Sequence, residues 1–206
     1  MNIKYFLYTR IVSFYKLCGK TACCFHTAIT RLRLVCYGAK VGKRLIVQGW
    51  IHLHISPKAQ VVLGDDVMLT SGFAGNPTAC SLRTGLWCLK NAKLEIGDNT
   101  GIFGSTILCS GSVTIGSNVL IAGGTHIYDN DFHSLDPAIR HQGIDENIPP
   151  SPVRIGDQCW IGSRCIILKG VTIGYQSVIG SGSVVTKDIP PRQLWAGNPA
   201  RFVKEL

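Results

Sequence analysis

The sequence predicts an all-β solenoid built from six-residue repeats, and two observations support this fold class. From Ile155 to Pro190, six consecutive six-residue blocks begin with Ile or Val, at positions 155, 161, 167, 173, 179 and 185, and four of them place Gly second. A six-residue stripe would rotate steadily around an α-helix of 3.6 residues per turn, so this period does not suit a helix. Three blocks instead close one triangular coil, in which each block supplies an inward apolar side chain and a corner. The alternative is an ordinary sheet with Ile-Gly pairs at chance positions, and it would have to produce six uninterrupted blocks at the same spacing by coincidence.

The composition fits one structural unit whose charge is unevenly distributed. The chain has 206 residues, nine cysteines and a net charge of +9. Residues 1–64 contain ten Lys or Arg and no acid, whereas residues 65–206 contain eleven bases and twelve acids. The odd cysteine count without a CxxC pair argues against a disulfide framework or structural zinc, and Cys159 and Cys165 are expected to be packing residues in a reducing cytosol. No aromatic RNA platform or recognition helix accompanies the basic residues, so nucleic acid is not expected as a partner.

Residues 1–38 are predicted to form a basic amphipathic helical segment of one or two helices, with Gly19 as a break. Lys4, Arg10, Lys16 and Lys20 alternate with aromatic and aliphatic residues in this segment. Such a helix either lies on an anionic inner leaflet or covers the first coil as a cap, and the sequence leaves both alternatives open. Its apolar stretches are too short to span a membrane, and no signal-peptide cleavage pattern follows.

Residues 39–206 are predicted to form the repeat domain, interrupted by two loops. The six-residue period is lost over residues 73–93 and again over residues 133–154, and it slips by one residue near Gly111. Long loops of a solenoid often carry its binding function. After two prolines at 190 and 191, residues 198–206 are predicted to form a short helix that covers the last coil.

His133 is the candidate general base. It ends the segment NDFH at 130–133, where regular coil gives way to the second loop. Neutral imidazole has a pKa suited to accepting a proton from a hydroxyl near neutral pH, although a lone histidine is more often an ordinary loop residue. Asp131 either orients the imidazole or holds the acceptor, and the alternative is that it hydrogen-bonds its own turn. His126 and His141 invite a zinc site with His133, but their spacings do not fit one strand plus a stacked neighbour, so no metal is expected.

Four segments of the chain resemble the hexapeptide-repeat O-acetyltransferases. They are NDFH at 130–133, CWIGSRCIILKGVTIG at 159–174, SVVTKDIPP at 183–191 and AGNPAR at 196–201. The chain is similar to the branch that acetylates maltose, galactosides and nodulation factors, and above all to enzymes that acetylate capsule, O-antigen or other polysaccharide sugars. This resemblance implies a left-handed parallel β-helix, a cytoplasmic homotrimer with active sites between subunits, and acetyl-CoA as donor.

The resemblance also assigns roles to individual residues. It makes His133 the general base and places the following residues against acetyl-CoA: Gly123, Trp160, Ser163, Ser181, Thr186, Lys187 and Arg201. Ser163 and Ser181 hold the same place in blocks that are one full coil apart, so they should stack and leave a groove, although without the resemblance they are ordinary corner residues. Trp160 either walls the pocket or packs on the next subunit. Lys187, Arg201 and Thr186 suit contact with the phosphates of coenzyme A, and the alternative is that the two cations are ordinary solvated surface charges.

The expected reaction is direct acetyl transfer to a sugar hydroxyl, with His133 as base and backbone amides near Ser163 stabilising the oxyanion. Unlike the maltose and galactoside enzymes, this chain begins with a basic segment and has no Asn at 102–105. A different sugar is therefore expected, from a surface polysaccharide or its precursor, and Arg83 and Trp87 in the first loop are the candidate acceptor contacts. The alternatives are an N-acetyltransferase on an amino sugar, and a catalytically silent β-helix that acts as a scaffold or membrane-docking module.

Overall fold

The computed structural model describes residues 3–72, 82–141 and 148–206, with side chains from residue 19 onward. Residues 73–81 of the first predicted loop and 142–147 of the second lie outside the described part.

Short parallel strands form six stacked coils of three strands each. In chain order the strands of these coils are β1 (Lys40–Val41), β2 (Ile46–Gln48), β3 (His52–Ile55), β4 (Gln60–Leu63), β5 (Met68–Thr70), β6 (Gly85–Cys88), β7 (Lys93–Ile96), β8 (Gly101–Phe103), β9 (Thr106–Cys109), β10 (Ser112–Ile115), β11 (Leu120–Ile121), β12 (His126–Tyr128), β13 (Val153–Ile155), β14 (Trp160–Ile161), β15 (Ile166–Ile167), β16 (Thr172–Ile173), β17 (Val178–Ile179) and β18 (Val184–Val185). They build a triangular prism with three faces: face A (β1, β4, β7, β10, β13, β16), face B (β2, β5, β8, β11, β14, β17) and face C (β3, β6, β9, β12, β15, β18).

The register of the strands confirms the predicted repeat. Ile161 pairs with Ile179, three six-residue blocks further along the chain, and both side chains are buried inside the prism. Ile96 pairs with Ile115, which lies one position beyond the same three-block spacing and so confirms the one-residue slip near Gly111. The core is therefore a set of stacked aliphatic columns, and every inward residue packs on its equivalents in the neighbouring coils.

The N-terminal segment forms one helix, α1 (Ile3–Cys36), without a break at Gly19. Thr30 and Leu34 are buried against the first coil. The Thr27 hydroxyl accepts a hydrogen bond from the Val47 amide at 2.9 Å, and the Arg31 guanidinium donates to the Gly42 carbonyl at 2.8 Å. The C-terminal half of α1 thus caps the first coil. Among the described residues, no helix is long and apolar enough to cross a membrane.

The predicted C-terminal helix over residues 198–206 is wrong. The chain instead forms β19 (Gln193–Ala196), which extends face B beyond β17, and β20 (Arg201–Glu205), which pairs antiparallel with β19. The Asn-Pro pair at 198–199 begins a turn rather than a helix. Strand β20 supplies hydrogen-bond partners to an edge of β19 that a terminal helix would have left open.

The loop boundaries also differ from the prediction. Strand β6 (Gly85–Cys88) lies inside the predicted loop 73–93, and β7 begins at Lys93. The second loop leaves after β12, contains the short helix α2 (Pro137–His141) and ends where β13 begins at Val153. Both excursions leave from corners of the prism, where extra residues do not disturb the stacked columns.

Candidate functional site

A cavity of about 660 Å³ opens at the corner between faces C and A and contains His133. Leu108, Tyr128 and Leu168 line it from three successive coils of face C. The remaining lining residues come from the second loop: Asn130, Asp131, Phe132, His133, Ser134, Leu135 and Arg140. The side chain of His133 is exposed in this setting. The cavity thus combines apolar walls with a few polar and charged groups, as small-molecule sites do.

Asp129 fixes the start of the loop that carries His133. Its buried carboxylate accepts hydrogen bonds from the Ser110 amide at 2.8 Å, the Ser110 hydroxyl at 2.9 Å and the Gly111 amide at 2.7 Å. The one-residue insertion near Gly111 leaves these amides at the corner, and Asp129 satisfies them. Three hydrogen bonds to one carboxylate make a rigid anchor shortly before the candidate base.

The turn between Asp129 and His133 is held by side-chain to backbone hydrogen bonds. The Asn130 side chain accepts from the Phe132 amide and donates to the Ile148 carbonyl at 2.9 Å. Phe132 adopts a left-handed backbone conformation, with φ of 64°, and its ring meets Tyr128 edge-on at 5.7 Å. A non-glycine residue in this region is uncommon and needs surrounding contacts to hold it. These contacts direct the chain so that His133 follows at the cavity.

Asp131 forms an ion pair with Lys169, which the sequence analysis did not single out. Lys169 follows β15 in the next coil, 38 residues along the chain. The carboxylate of Asp131 thus connects the loop to the next coil. The roles expected for Asp131 from the sequence did not include this ion pair. Because both side chains remain partly exposed, the pair orients the loop more than it stabilises the fold.

Gly123, Ser163 and Ser181 lie together on the corner between faces B and C. The Gly123 carbonyl accepts from the Arg164 amide at 2.9 Å, and the Ser163 carbonyl accepts from the Gly182 amide at 2.8 Å. The Ser163 amide donates to the Ser181 hydroxyl at 3.2 Å, so the two serines stack as expected. Their role toward acetyl-CoA stays a prediction. An oxyanion bound at the Ser163 amide would have to displace this hydroxyl.

The other predicted cofactor residues are only partly brought to this corner. Trp160 is 55% exposed on face B, just before the corner. Arg201 starts β20 opposite Ala196, which lies against Gly180 beside the corner. Thr186 and Lys187 follow β18 at its other end, and the Lys187 ammonium lies 5.3 Å from the centroid of the Trp195 ring.

The predicted acceptor residues lie outside the cavity. Trp87 is in a strand rather than a loop, on the outer surface of face C, and stacks on His54 with ring centroids 4.9 Å apart. It pairs in register with Leu108, which does line the cavity, so Trp87 lies one coil away from it. Arg83 is exposed two residues before β6.

The three faces of the prism differ in character. The outward residues of face A are largely polar, and Lys93 and Glu95 form an ion pair there at 2.8 Å. Face B exposes Leu120 and Trp160, and face C exposes Trp87 and Leu168. Exposed large apolar side chains on two adjacent faces are typical of an interface surface. In the part of the chain that the structure describes, no group of three His, Cys, Asp or Glu side chains is placed to hold a metal ion.

Comparison with known proteins identifies the family. A model described as the hexapeptide repeat of succinyl-transferase matches residues 152–187. A hexapeptide-repeat acetyltransferase from Vibrio cholerae, solved with acetyl coenzyme A, is 30% identical with a TM-score of 0.57, and the match covers 86% of this chain and 75% of that one. The chain belongs to the hexapeptide-repeat acetyltransferases. The expected left-handed parallel β-helix is thereby confirmed.

Two further members of the family give a similar result. The galactoside O-acetyltransferase of Escherichia coli K12 is 44% identical over 116 residues, which are 56% of this chain and 55% of the relative. A galactoside acetyltransferase solved with coenzyme A is 28% identical with a TM-score of 0.55, and the match covers 94% of this chain and 81% of that one. The chain spans about half the length of the curated relatives that it matches.

Proposed function

We propose that this hexapeptide-repeat acetyltransferase transfers an acetyl group from acetyl-CoA to a sugar hydroxyl of a surface polysaccharide or its precursor. The observation that carries the proposal is the placement of His133 in an open cavity, on a loop that Asp129 and Asn130 hold rigidly. A general base must be held within reach of the hydroxyl that it deprotonates, and this arrangement provides such a position.

In the proposed mechanism His133 accepts the proton of the sugar hydroxyl as the hydroxyl oxygen forms its bond to the acetyl carbonyl carbon. The carbon–sulfur bond then breaks, and His133 returns the proton to the departing thiolate. Acetyl-CoA supplies the activated thioester and binds by its pantetheine arm. The Asp131–Lys169 pair holds the loop while both partners are bound. Direct transfer within one ternary complex needs no covalent intermediate on the protein.

The small residues at the corner between faces B and C suit the pantetheine arm. In the proposal Gly123, Ser163 and Ser181 border a shallow groove for this arm, and the exposed Arg201 lies toward its end, where a phosphate of coenzyme A would meet the guanidinium. Thr186 and Lys187 follow β18 at the end opposite this groove, and the Lys187 ammonium lies over the Trp195 ring. Their contact with acetyl-CoA is proposed only across a subunit boundary.

The proposal includes a homotrimer with shared active sites. Face C separates His133 from the groove, because the two lie on its opposite corners. A second copy that packs face B on face C would cover the exposed apolar side chains of both faces, and it would bring the groove of one copy to His133 of another. In such an assembly Arg83 and Trp87 could contact the acceptor, although neither lines the cavity of one chain. The enzyme is proposed to work in the cytoplasm, with peripheral contact at the inner face of the membrane.

Release of coenzyme A thiol in the presence of candidate glycans tests the proposal. His133→Ala should lower the rate by about 10²–10⁴-fold, the usual contribution of a general base. His52→Ala, at an exposed histidine of the first coil, is the matched control and should keep wild-type activity. Undiminished transfer by His133→Ala would refute the mechanism. An acetyl group that mild alkali releases from the product identifies an ester, whereas an acetyl group that resists alkali would favour the N-acetyltransferase alternative. Absence of thiol release with every glycan would favour the catalytically silent scaffold.

A further inference from the structure

Helix α1 presents an exposed apolar stripe to solvent. Its packed side turns Thr30 and Leu34 to the first coil, whereas Phe25, Leu32 and Val35 are 55%, 62% and 55% exposed on the opposite side. Together with the exposed Ala28, these residues are spaced three, four and three apart, so they follow one line along the helix. Three large apolar side chains in one exposed line are not explained by capping of the coil, which uses the other side of α1.

The same spacing continues in the sequence toward the N-terminus. Leu7, Ile11, Phe14 and Cys18 precede Thr21 and Phe25 in alternating steps of three and four, and the helix backbone is continuous from Ile3. The spacing is therefore kept in the sequence from Leu7 to Val35, with Thr21 as its polar member. Trp50 adds to it from the first coil, since its ring meets Phe25 edge-on at 6.1 Å and is 48% exposed. Tryptophan at the border of an apolar surface is typical of membrane interfaces.

The charge of α1 and of the first coil is of one sign. Helix α1 contains six bases and no acid: Lys4, Arg10, Lys16, Lys20, Arg31 and Arg33. The adjoining first coil adds exposed cations at Lys40, Lys43 and Lys58. The first acids of the chain are Asp65 and Asp66 in the second coil, where Asp66 pairs with Arg44. The end of the prism that α1 covers is thus strongly positive.

We propose that this surface binds an anionic lipid bilayer: the stripe of Phe25, Ala28, Leu32 and Val35 enters the headgroup region, and the surrounding lysines meet lipid phosphates. Charge decides between a bilayer and a second copy of the helix. A seam between copies would set cation beside cation with no acid to pair with them, which is unfavourable. An anionic leaflet attracts the same cations and accepts the apolar stripe as well.

This inference deepens the proposed function by naming the surface that would make the peripheral membrane contact, and it rests on the proposed function for that contact alone. The prism would be held with its α1 end toward the bilayer and its β20 end away from it. Because vesicle binding needs no catalysis, failure to bind vesicles would leave the proposed acetyl transfer standing, and failure of acetyl transfer would leave the membrane surface standing.

Co-sedimentation of the full-length protein with vesicles tests the surface. Wild type should bind phosphatidylcholine vesicles that contain about 30% phosphatidylglycerol, should bind pure phosphatidylcholine at least about tenfold more weakly, and should be released by about 0.5 M salt. The triple variant Phe25→Gln, Leu32→Gln, Val35→Gln should lose binding at least about tenfold. Its matched control, Val203→Gln with Leu206→Gln, changes exposed apolar residues at the opposite end and should bind like wild type.

A second variant tests the charge without touching the stripe. Lys20→Gln, Lys40→Gln and Lys43→Gln together should weaken binding to the anionic vesicles and flatten its salt dependence. Helical content of each variant is followed by circular dichroism. Equal binding to neutral and anionic vesicles, no binding by wild type, or wild-type binding by the triple stripe variant would overturn the proposal. A change of oligomeric state in the stripe variant with unchanged vesicle binding would overturn it in favour of contact between copies.

Discussion

Substitution of Gly162 by alanine tests the stacking that builds the proposed groove. A Cβ atom at position 162 would lie 2.6 Å from the Ser181 amide nitrogen and 2.7 Å from the Ile179 carbonyl oxygen. Both are backbone atoms of the next coil, so neither can rotate away. Ordinary van der Waals contact begins at 3.4 Å, and the two coils must therefore separate by several tenths of an ångström.

The expected cost of this separation has two parts. Overpacking of a close contact destabilises by about 1–3 kcal/mol. Separation also weakens the Gly162 amide to Ile179 carbonyl bond at 2.8 Å and the Ser163 amide to Ser181 hydroxyl bond at 3.2 Å, each worth about 1 kcal/mol. We expect Gly162→Ala to lower the free energy of unfolding by about 2–4 kcal/mol, which lowers Tm by about 5–15 °C for a chain of this size.

Gly19→Ala is the matched control, because the same atom is added where it meets nothing within 4 Å. Position 19 is inside helix α1, where alanine is favoured over glycine by about 0.5–1 kcal/mol. Thermal unfolding followed by circular dichroism at one protein concentration should therefore show opposite shifts. A Tm of Gly162→Ala within about 1 °C of wild type would refute the close stacking at this corner. A lower Tm for Gly19→Ala would refute a continuous α1.

Three further predictions follow from single interactions. Lys169→Met should reduce acetyl transfer about tenfold by freeing the loop. It should leave the unfolding transition nearly unchanged, because the ion pair of Lys169 with Asp131 is partly exposed. Arg44→Met, which breaks the exposed ion pair with Asp66, should change neither acetyl transfer nor unfolding. Alkylation of the native protein followed by mass spectrometry should modify the exposed Cys36 and spare Cys159, and rapid labelling of Cys159 would contradict its burial. Burial raises the pKa of the Cys159 thiol to about 11. The contribution of the neutral thiol to the free energy of unfolding is therefore complete below the pKa of an unfolded cysteine, and it is lost as the pH rises toward 11. Tm should fall across that range, and the fall should be smaller in Cys159→Ala.

The repeat domain could be predicted from the sequence wherever the blocks are uninterrupted. In residues 155–190 every six-residue block begins with an inward Ile or Val, so the period, the register and the stacking of Ser163 on Ser181 follow directly. Strand β6 was missed because a four-residue strand gives little signal when the preceding blocks are lost in a loop. The C-terminal strand was missed because its formation depends on pairing with β19, and Asn-Pro opens turns as well as helices.

The candidate site was predictable only in part. His133 could be found from its place at a loop and from the resemblance of its segment to the family. Lys169 could not, because its partner Asp131 is 38 residues away across a loop of irregular length. Asp129 likewise accepts a hydrogen bond from the Gly111 amide at the inserted corner residue, and only the folded coil brings the two together. Residues of neighbouring coils that are separated by a long loop have no fixed spacing in the sequence, so only the structure shows which of them are in contact.

Activity of mixed trimers tests the central claim, a site shared between copies, most directly. His133→Ala removes the base, and Ser181→Trp blocks the groove at an exposed corner residue. Each variant alone should be nearly inactive. If base and groove come from different copies, equal co-expression should restore about a quarter of wild-type activity, because random assembly leaves that share of sites with both parts intact. Mixed trimers that stay as inactive as the two parents would contradict the shared site.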